Sequence, residues 1–260
     1  MSIIQLQQVR KQYSGTYVLQ GIDLSFDKGQ IVGYIGPNGA GKSTTIKILT
    51  GIISDFEGNA MVLGLDVRKD PMIIKQQIGY IPENAALYDV LTPVEYLDFV
   101  GKLYQMDAVN TRKKALDLLR LFDLADKHDM RMNSFSKGMR QKVLLISGLI
   151  HNPEIIFLDE PLSGLDANAV ILVKEILSQL KHSGKTIFYS SHIMDVVEKI
   201  SDRIIIINKG AVIADGTFDE LKKAGAEGSL ENIFTALTGD QQHLSTAGEF
   251  VDIMKNFSNG

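Results

Sequence analysis

Residues 36–44 read Gly-Pro-Asn-Gly-Ala-Gly-Lys-Ser-Thr, a run of glycines ahead of a lysine and two hydroxyls that suits the binding of phosphate groups. It satisfies the pattern Gly-x-x-x-x-Gly-Lys-Ser/Thr from Gly36 through Gly41 to Lys42 and Ser43. Such a loop points successive backbone N–H groups into one concavity, at the positive end of a helix dipole. Glycine is needed because side chains would keep a phosphate off the backbone. Lys42 can reach the β- and γ-phosphates of a nucleoside triphosphate, and the Ser43 hydroxyl can ligate Mg²⁺. Pro37, Asn38, Gly39, Ala40 and Thr44 complete the expected cradle. A glycine-rich turn without function is the plain alternative, but the flanking sequence disfavours it. Ile31–Ile35 suits a buried strand, and Ser43–Thr50 suits a helix stopped by Gly51.

A second cluster follows far down the chain. Ile155-Ile156-Phe157-Leu158-Asp159-Glu160 is an apolar strand ending in two carboxylates. A buried strand that delivers Asp159 at its C-terminal end brings it near the phosphate loop, where it can hold Mg²⁺. Glu160 can orient and deprotonate an attacking water. Ser136, ahead of Lys137-Gly138-Met139, is a good helix N-cap; it could equally form a second anion site with the following N–H groups.

The elements that must position these groups alternate in type. Ile3–Val9 and Val18–Phe26 read as strands around a polar turn at Tyr13-Ser14-Gly15, Gly58–Leu65 as another, and Gln77–Pro82 as a short one. The character then changes. Thr92-Pro93-Val94-Glu95 is a capping box with proline at the first helical position, Ala115–Phe122 forms a second amphipathic helix, and a third runs from about Lys137 to Ile150. After Pro153 strands Ile155–Leu158, Thr186–Ser190 and Arg203–Asn208 alternate with helices Asn168–Leu180 and Met194–Ile200, and Thr217–Glu220 opens another helix. The expectation is an α/β fold with a mainly parallel sheet, an N-terminal antiparallel β subdomain and an inserted α-helical subdomain. Residues 1–84 and 151–225 would form the core, 85–150 the helical insert and 226–260 a C-terminal tail.

Composition narrows the partners. The 260 residues carry 27 basic and 31 acidic side chains, a net charge of −4, so no global basic field invites nucleic acid. Cysteine is absent, which excludes disulfides and thiolate metal sites. No apolar run reaches the roughly 20 residues needed to span a bilayer, and Met1–Arg10 lacks the apolar core of a signal peptide. Any membrane crossing would therefore fall to another chain.

Together these motifs resemble the nucleotide-binding domain of ATP-binding cassette (ABC) transporters, with its P-loop NTPase core, over roughly residues 3–238. Tyr13 sits where the family stacks an aromatic on adenine, Gly36–Thr44 matches Walker A, and Ile155–Glu160 matches Walker B. Phe135-Ser136-Lys137-Gly138-Met139 occupies the signature position, Ser163-Gly164-Leu165-Asp166 the D-loop, and His192 the switch position. The resemblance implies ATP and Mg²⁺ as ligands, with Lys42, Glu160 and His192 catalytic and Ser43, Glu83 and Asp159 around the metal. It also implies that two cassettes pair head to tail, so that Ser136 and Gly138 serve the site of the partner, and that Asp166 of the D-loop is among the nucleotide-binding residues. A transmembrane permease subunit and a place on the inner face of the cell membrane are implied likewise. Glu83 stands where the family usually has Gln, and Lys137 where it usually has Gly; Lys137 either adds charge near the γ-phosphate or, as favoured here, points to solvent. The signature, the Pro82-Glu83 pair and Ser229–Thr238 look like the drug, ion and polysaccharide exporter branch. The competing readings are an ABC-type regulatory or mechanical ATPase and, from another class, a nucleoside-monophosphate kinase.

Overall fold

A computed structural model describes residues 2–83, 87–224, 228–239, 250, 253 and 254. Strands β1 (Ser2–Tyr13) and β2 (Thr16–Asp27) form a long hairpin, followed by β3 (Ile31–Ile35), helix α1 (Lys42–Leu49), β4 (Glu57–Val62) and β5 (Leu65–Asp66). Helix α2 (Pro71–Gln77) leads into β6 (Ile78–Ile81). Among the described residues three α-helices intervene before the sheet resumes: α3 (Pro93–Leu103), α4 (Ala108–Leu121) and α5 (Lys137–Leu149). Then come β7 (Ile155–Asp159), α6 (Ala167–His182), β8 (Thr186–Ser190), α7 (Met194–Ile200), β9 (Arg203–Asn208), β10 (Ala211–Gly216), α8 (Phe218–Ala224) and α9 (Leu230–Thr238).

Two sheets result. An antiparallel sheet has the order β2-β1-β4-β5, and a six-stranded sheet the order β10-β9-β3-β8-β7-β6. In the second, β9-β3-β8-β7-β6 are parallel and only β10 runs antiparallel. The expected α/β architecture is thus present. Alternate residues of the parallel strands face opposite cores, as period-two pleating requires. Ile31, Ile156, Leu158, Ile204 and Ile206 join α5, α6 and the helical insert on one face. Val32, Tyr34, Phe157, Phe188 and Ile205 join the antiparallel sheet and α1 on the other. There Phe188 meets Phe26 edge-on at 5.4 Å and Tyr34 at 5.0 Å.

Local signals explain most boundaries. Thr92 and Glu95 make both capping-box bonds at the start of α3, at 3.2 and 2.9 Å. Asp107 and Ser136 cap α4 and α5 through their side chains. The single strand expected over Gly58–Leu65 is divided instead, because Leu63 and Gly64 turn at φ 57 and 76. The expected divisions at 84/85 and 225/226, and most of the 226–260 tail, lie outside the described residues.

The helical insert meets the sheet through bare backbone. A Cβ on Gly79 of β6 would fall 2.2 Å from the Gly148 oxygen of α5, and one on Gly148 would fall 2.5 Å from Ile81 Cδ1. Beside this contact the His151 ring stacks on Tyr104 at 3.6 Å and donates from Nε2 to the Ile78 oxygen at 2.9 Å. Burial holds the His151 pKa below its ordinary value. We expect Gly79→Ala to destabilise the chain by about 1–3 kcal/mol, since β6 and α5 must separate to admit a methyl group. Urea denaturation checks it; a wild-type midpoint would mean that the contact relaxes freely.

Candidate functional site

The parallel register brings four strand ends to one edge of the sheet. Tyr34 pairs with Ser190, Asp159 with Ser190, and Ile81 with Leu158, so the segments leaving β3, β6, β7 and β8 emerge side by side. Ligands in open parallel sheets bind beyond such carboxyl ends. A cavity of about 510 Å³ lies there, lined by Asn38–Thr44, Glu83, Asp159, Glu160, His192 and Val18. Val18 was not foreseen; an apolar residue of an ordinary strand gives no signal of a ligand.

The phosphate loop is held open by backbone geometry. Gly41 has φ 109, where its Cβ would lie 2.5 Å from Leu19 Cδ2, and a Cβ on Gly36 would lie 2.3 Å from the Ile207 oxygen. Helix α1 starts with no side-chain cap and no acid in its first turn, so its leading N–H groups remain for an anion. The Lys42 ammonium folds back over the loop, donating to the Gly36 oxygen at 2.7 Å and the Pro37 oxygen at 3.3 Å. Burial lowers the Lys42 pKa, and the charges of Glu160, Asp159 and Glu83 oppose that shift.

Opposite the lysine sit the carboxylates. Asp159 is 3% exposed and accepts a bond from the Ser190 hydroxyl at 2.6 Å. Glu160 donates its N–H to the Ser190 oxygen at 3.1 Å and takes the left-handed conformation, φ 50, uncommon outside glycine. Its Oε2 lies 2.7 Å from His192 Nδ1 and accepts the His192 backbone N–H at 3.3 Å. The His192 side chain is 68% exposed. Ser43, Glu83 and Asp159 present hard oxygen donors to one cavity, a set that suits Mg²⁺. No three His, Cys, Asp or Glu side chains converge as a metal cage among the described residues.

Of the expected site residues, Gly36 and Pro37 of the loop stay outside the lining, and so do four residues from other segments. Tyr13 ends β1 with its ring 4.9 Å from the Lys11 ammonium. Ser136 accepts the Met139 N–H at 3.2 Å as the α5 cap, and Gly138 packs on the Gly164 carbonyl. Asp166 caps α6, accepting the Ala169 N–H at 2.9 Å, and this bond holds its carboxyl below the usual range. Lys137 is exposed, but its amine donates to the Ser163 hydroxyl at 2.9 Å.

A phosphate loop at the carboxyl edge of a parallel sheet, facing a carboxylate pair, defines a nucleotide-binding ATPase fold. The comparisons take this further: residues 19–163 match the ABC transporter family, and the chain belongs to that family as an ATP-binding, ATP-hydrolysing subunit. It is 37% identical over 219 residues to the linearmycin resistance ATP-binding protein LnrL of Bacillus subtilis, covering 84% of this chain and 70% of LnrL. It is similar to a solved ATP-binding subunit of an ABC transporter, with TM-score 0.84, 31% identity, and coverage of 90% of this chain and 99% of that one. A dimeric ATP-binding cassette in a post-hydrolysis state with ADP and Pi matches with TM-score 0.77 and 26% identity over 82% of this chain and 98% of that one. These relatives favour the transporter reading over a regulatory or mechanical ATPase. No helix among the described residues is long and apolar enough to cross a membrane.

Ser190→Ala leaves the buried Asp159 carboxylate without its hydroxyl donor. The expected loss is about 1–3 kcal/mol of folding stability, read by urea denaturation, with Ser190→Thr restoring much of it.

Proposed function

We propose that this chain powers export through a separate transmembrane permease by closing and opening a pair of cassettes around ATP. The observation that carries the reading is Glu160, held by His192 at 2.7 Å on the wall opposite the Lys42 loop. In it the phosphates lie on the N–H groups of residues 36–44 at the start of α1, and Lys42 trades its loop carbonyls for their oxygens. Glu160 accepts the proton of the attacking water while His192 fixes its carboxylate and faces the γ-phosphate. Ser43, Asp159 and Glu83 would hold Mg²⁺, which when bound neutralises charge on the phosphates. Tyr13 would stack on the adenine ring.

Ser136, Gly138 and Asp166 act across the pair in this proposal, since they lie away from their own chain's cavity. Each ATP then bridges the loop of one copy and the signature of the other, and hydrolysis removes the bridge. A homodimer is the simplest pair, although a related cassette would satisfy the same geometry. The permease would dock a short helix in the groove of about 360 Å³ between core and insert, beside Tyr80, Tyr96, Val100 and Leu103. In this reading the chain would sit on the cytoplasmic face of the membrane. Export is supported by a relative named for linearmycin resistance.

Glu160→Gln should retain ATP binding, slow hydrolysis by about 100-fold or more, and accumulate as a dimer with ATP and Mg²⁺ in size-exclusion chromatography. Used as bait on solubilised native membranes, that variant should recover a multi-span membrane protein in stoichiometric amount; recovery of soluble partners alone would end the transport reading. Lys42→Ala should abolish productive nucleotide binding in a calorimetric titration, and wild-type affinity would overturn the assignment of the loop.

A further inference from the structure

The first turns of α5 are stitched to the turn that follows Glu160. Gln141, 6% exposed, donates from Nε2 to the Pro161 oxygen at 2.9 Å. Lys137 donates to the Ser163 hydroxyl at 2.9 Å. The Lys137 stem lies flat over Gly164, where a Cβ would meet its Cδ at 2.9 Å and its Cγ at 3.0 Å. A Cβ on Gly138 would fall 2.7 Å from the Gly164 oxygen, and Lys142 approaches Asp166 to 3.9 Å. The turn in its own right hangs from Glu160, because Ser163 donates its N–H to the Glu160 oxygen at 3.2 Å. Glu160 has φ 50, a backbone conformation that persists in a non-glycine residue only where the surroundings enforce it.

We propose that Lys137 is a positioning residue for hydrolysis: its bond to Ser163 fixes the Pro161–Leu165 turn and, through it, the Glu160 backbone. The proposal rests on the reading of Glu160 as the base. Lysine suits the task because its long stem crosses Gly164 and still brings a donor to the hydroxyl beyond it. Glycine at this position would leave the side chain of Gln141 to bond the turn from α5. The contact also links the helical insert to the base directly, so a movement of α5 is felt at Glu160 without passing through the sheet.

The test compares Lys137→Met, Ser163→Ala, the double variant and Lys137→Arg in the purified chain with ATP and Mg²⁺, reading kcat, KM and melting temperature. Methionine keeps the apolar stem and removes the donor. Each single variant should lower kcat about three- to tenfold with KM for ATP within about twofold and an unchanged melting temperature. The double variant should be no slower than the slower single, and Lys137→Arg should recover most of the rate. A raised KM in Lys137→Met with wild-type behaviour in Ser163→Ala would overturn the proposal in favour of direct contact with a phosphate. Multiplicative losses in the double variant would overturn it too. Should Lys137→Met melt early, Ser163→Ala decides alone, since it removes one oxygen from a half-buried turn. Slow Glu160→Gln with an unaffected Lys137→Met removes only this proposal, whereas wild-type turnover of Glu160→Gln removes the base.

Discussion

A buried ammonium group has to be compensated, and the rest of the site is organised around that requirement. Lys42 is taken from water by the phosphate loop, which lowers its affinity for a proton. Two loop carbonyls meet the ammonium directly, and three carboxylates stand on the facing wall. Those carboxylates cannot crowd closer without repelling one another, and a metal or phosphate would relieve the imbalance on each side. The loop glycines, the uncapped start of α1 and the strand-end carboxylates are therefore parts of one electrostatic balance.

That balance depends on strand register. Asp159 and Ser190 are paired residues on neighbouring parallel strands, so the hydroxyl reaches the carboxylate without leaving the sheet. Glu160 comes next in the chain, and its left-handed backbone turns it out of the strand direction toward His192. A shift of one residue in β7 would take Asp159 out of register with Ser190 and turn its side chain to the other face of the sheet. The apolar side chains of β7 on both faces oppose such a slip, since Ile156 and Leu158 fill one core and Ile155 and Phe157 the other.

Much of this was legible in the sequence, because the strongest signals are local. Glycine spacing announces the phosphate loop, Thr92 with Glu95 announces α3, and an apolar strand ending in Asp159-Glu160 announces a site at its tip. Helix α2 escaped notice because it buries little beyond Ile74, leaving Met72 and Ile73 exposed and no apolar stripe to read. Strand β10 escaped because its residues are only half-buried or exposed. The bond from Lys137 to Ser163 joins residues 26 apart, and no local pattern encodes which hydroxyl the amine meets. Ser190 likewise reads as the end of a strand until its neighbour in the sheet is known.

The central strand of the larger sheet has consequences for how the chain is made. β3 carries the phosphate loop, yet its neighbours β8 and β9 arrive late in the sequence; the bond from Gly29 to Thr186 spans 157 residues. During synthesis from the N-terminus, the β1–β2 hairpin can form at once, but β3 waits with both edges bare until β8 and β9 have emerged. Its run Ile-Val-Gly-Tyr-Ile is apolar and carries no charge, so this interval exposes a sticky segment. Nonlocal pairing of this kind slows folding. A nascent chain holding the whole nucleotide motif thus remains unable to present it, and dependent on protection from aggregation, until β8 and β9 have been translated.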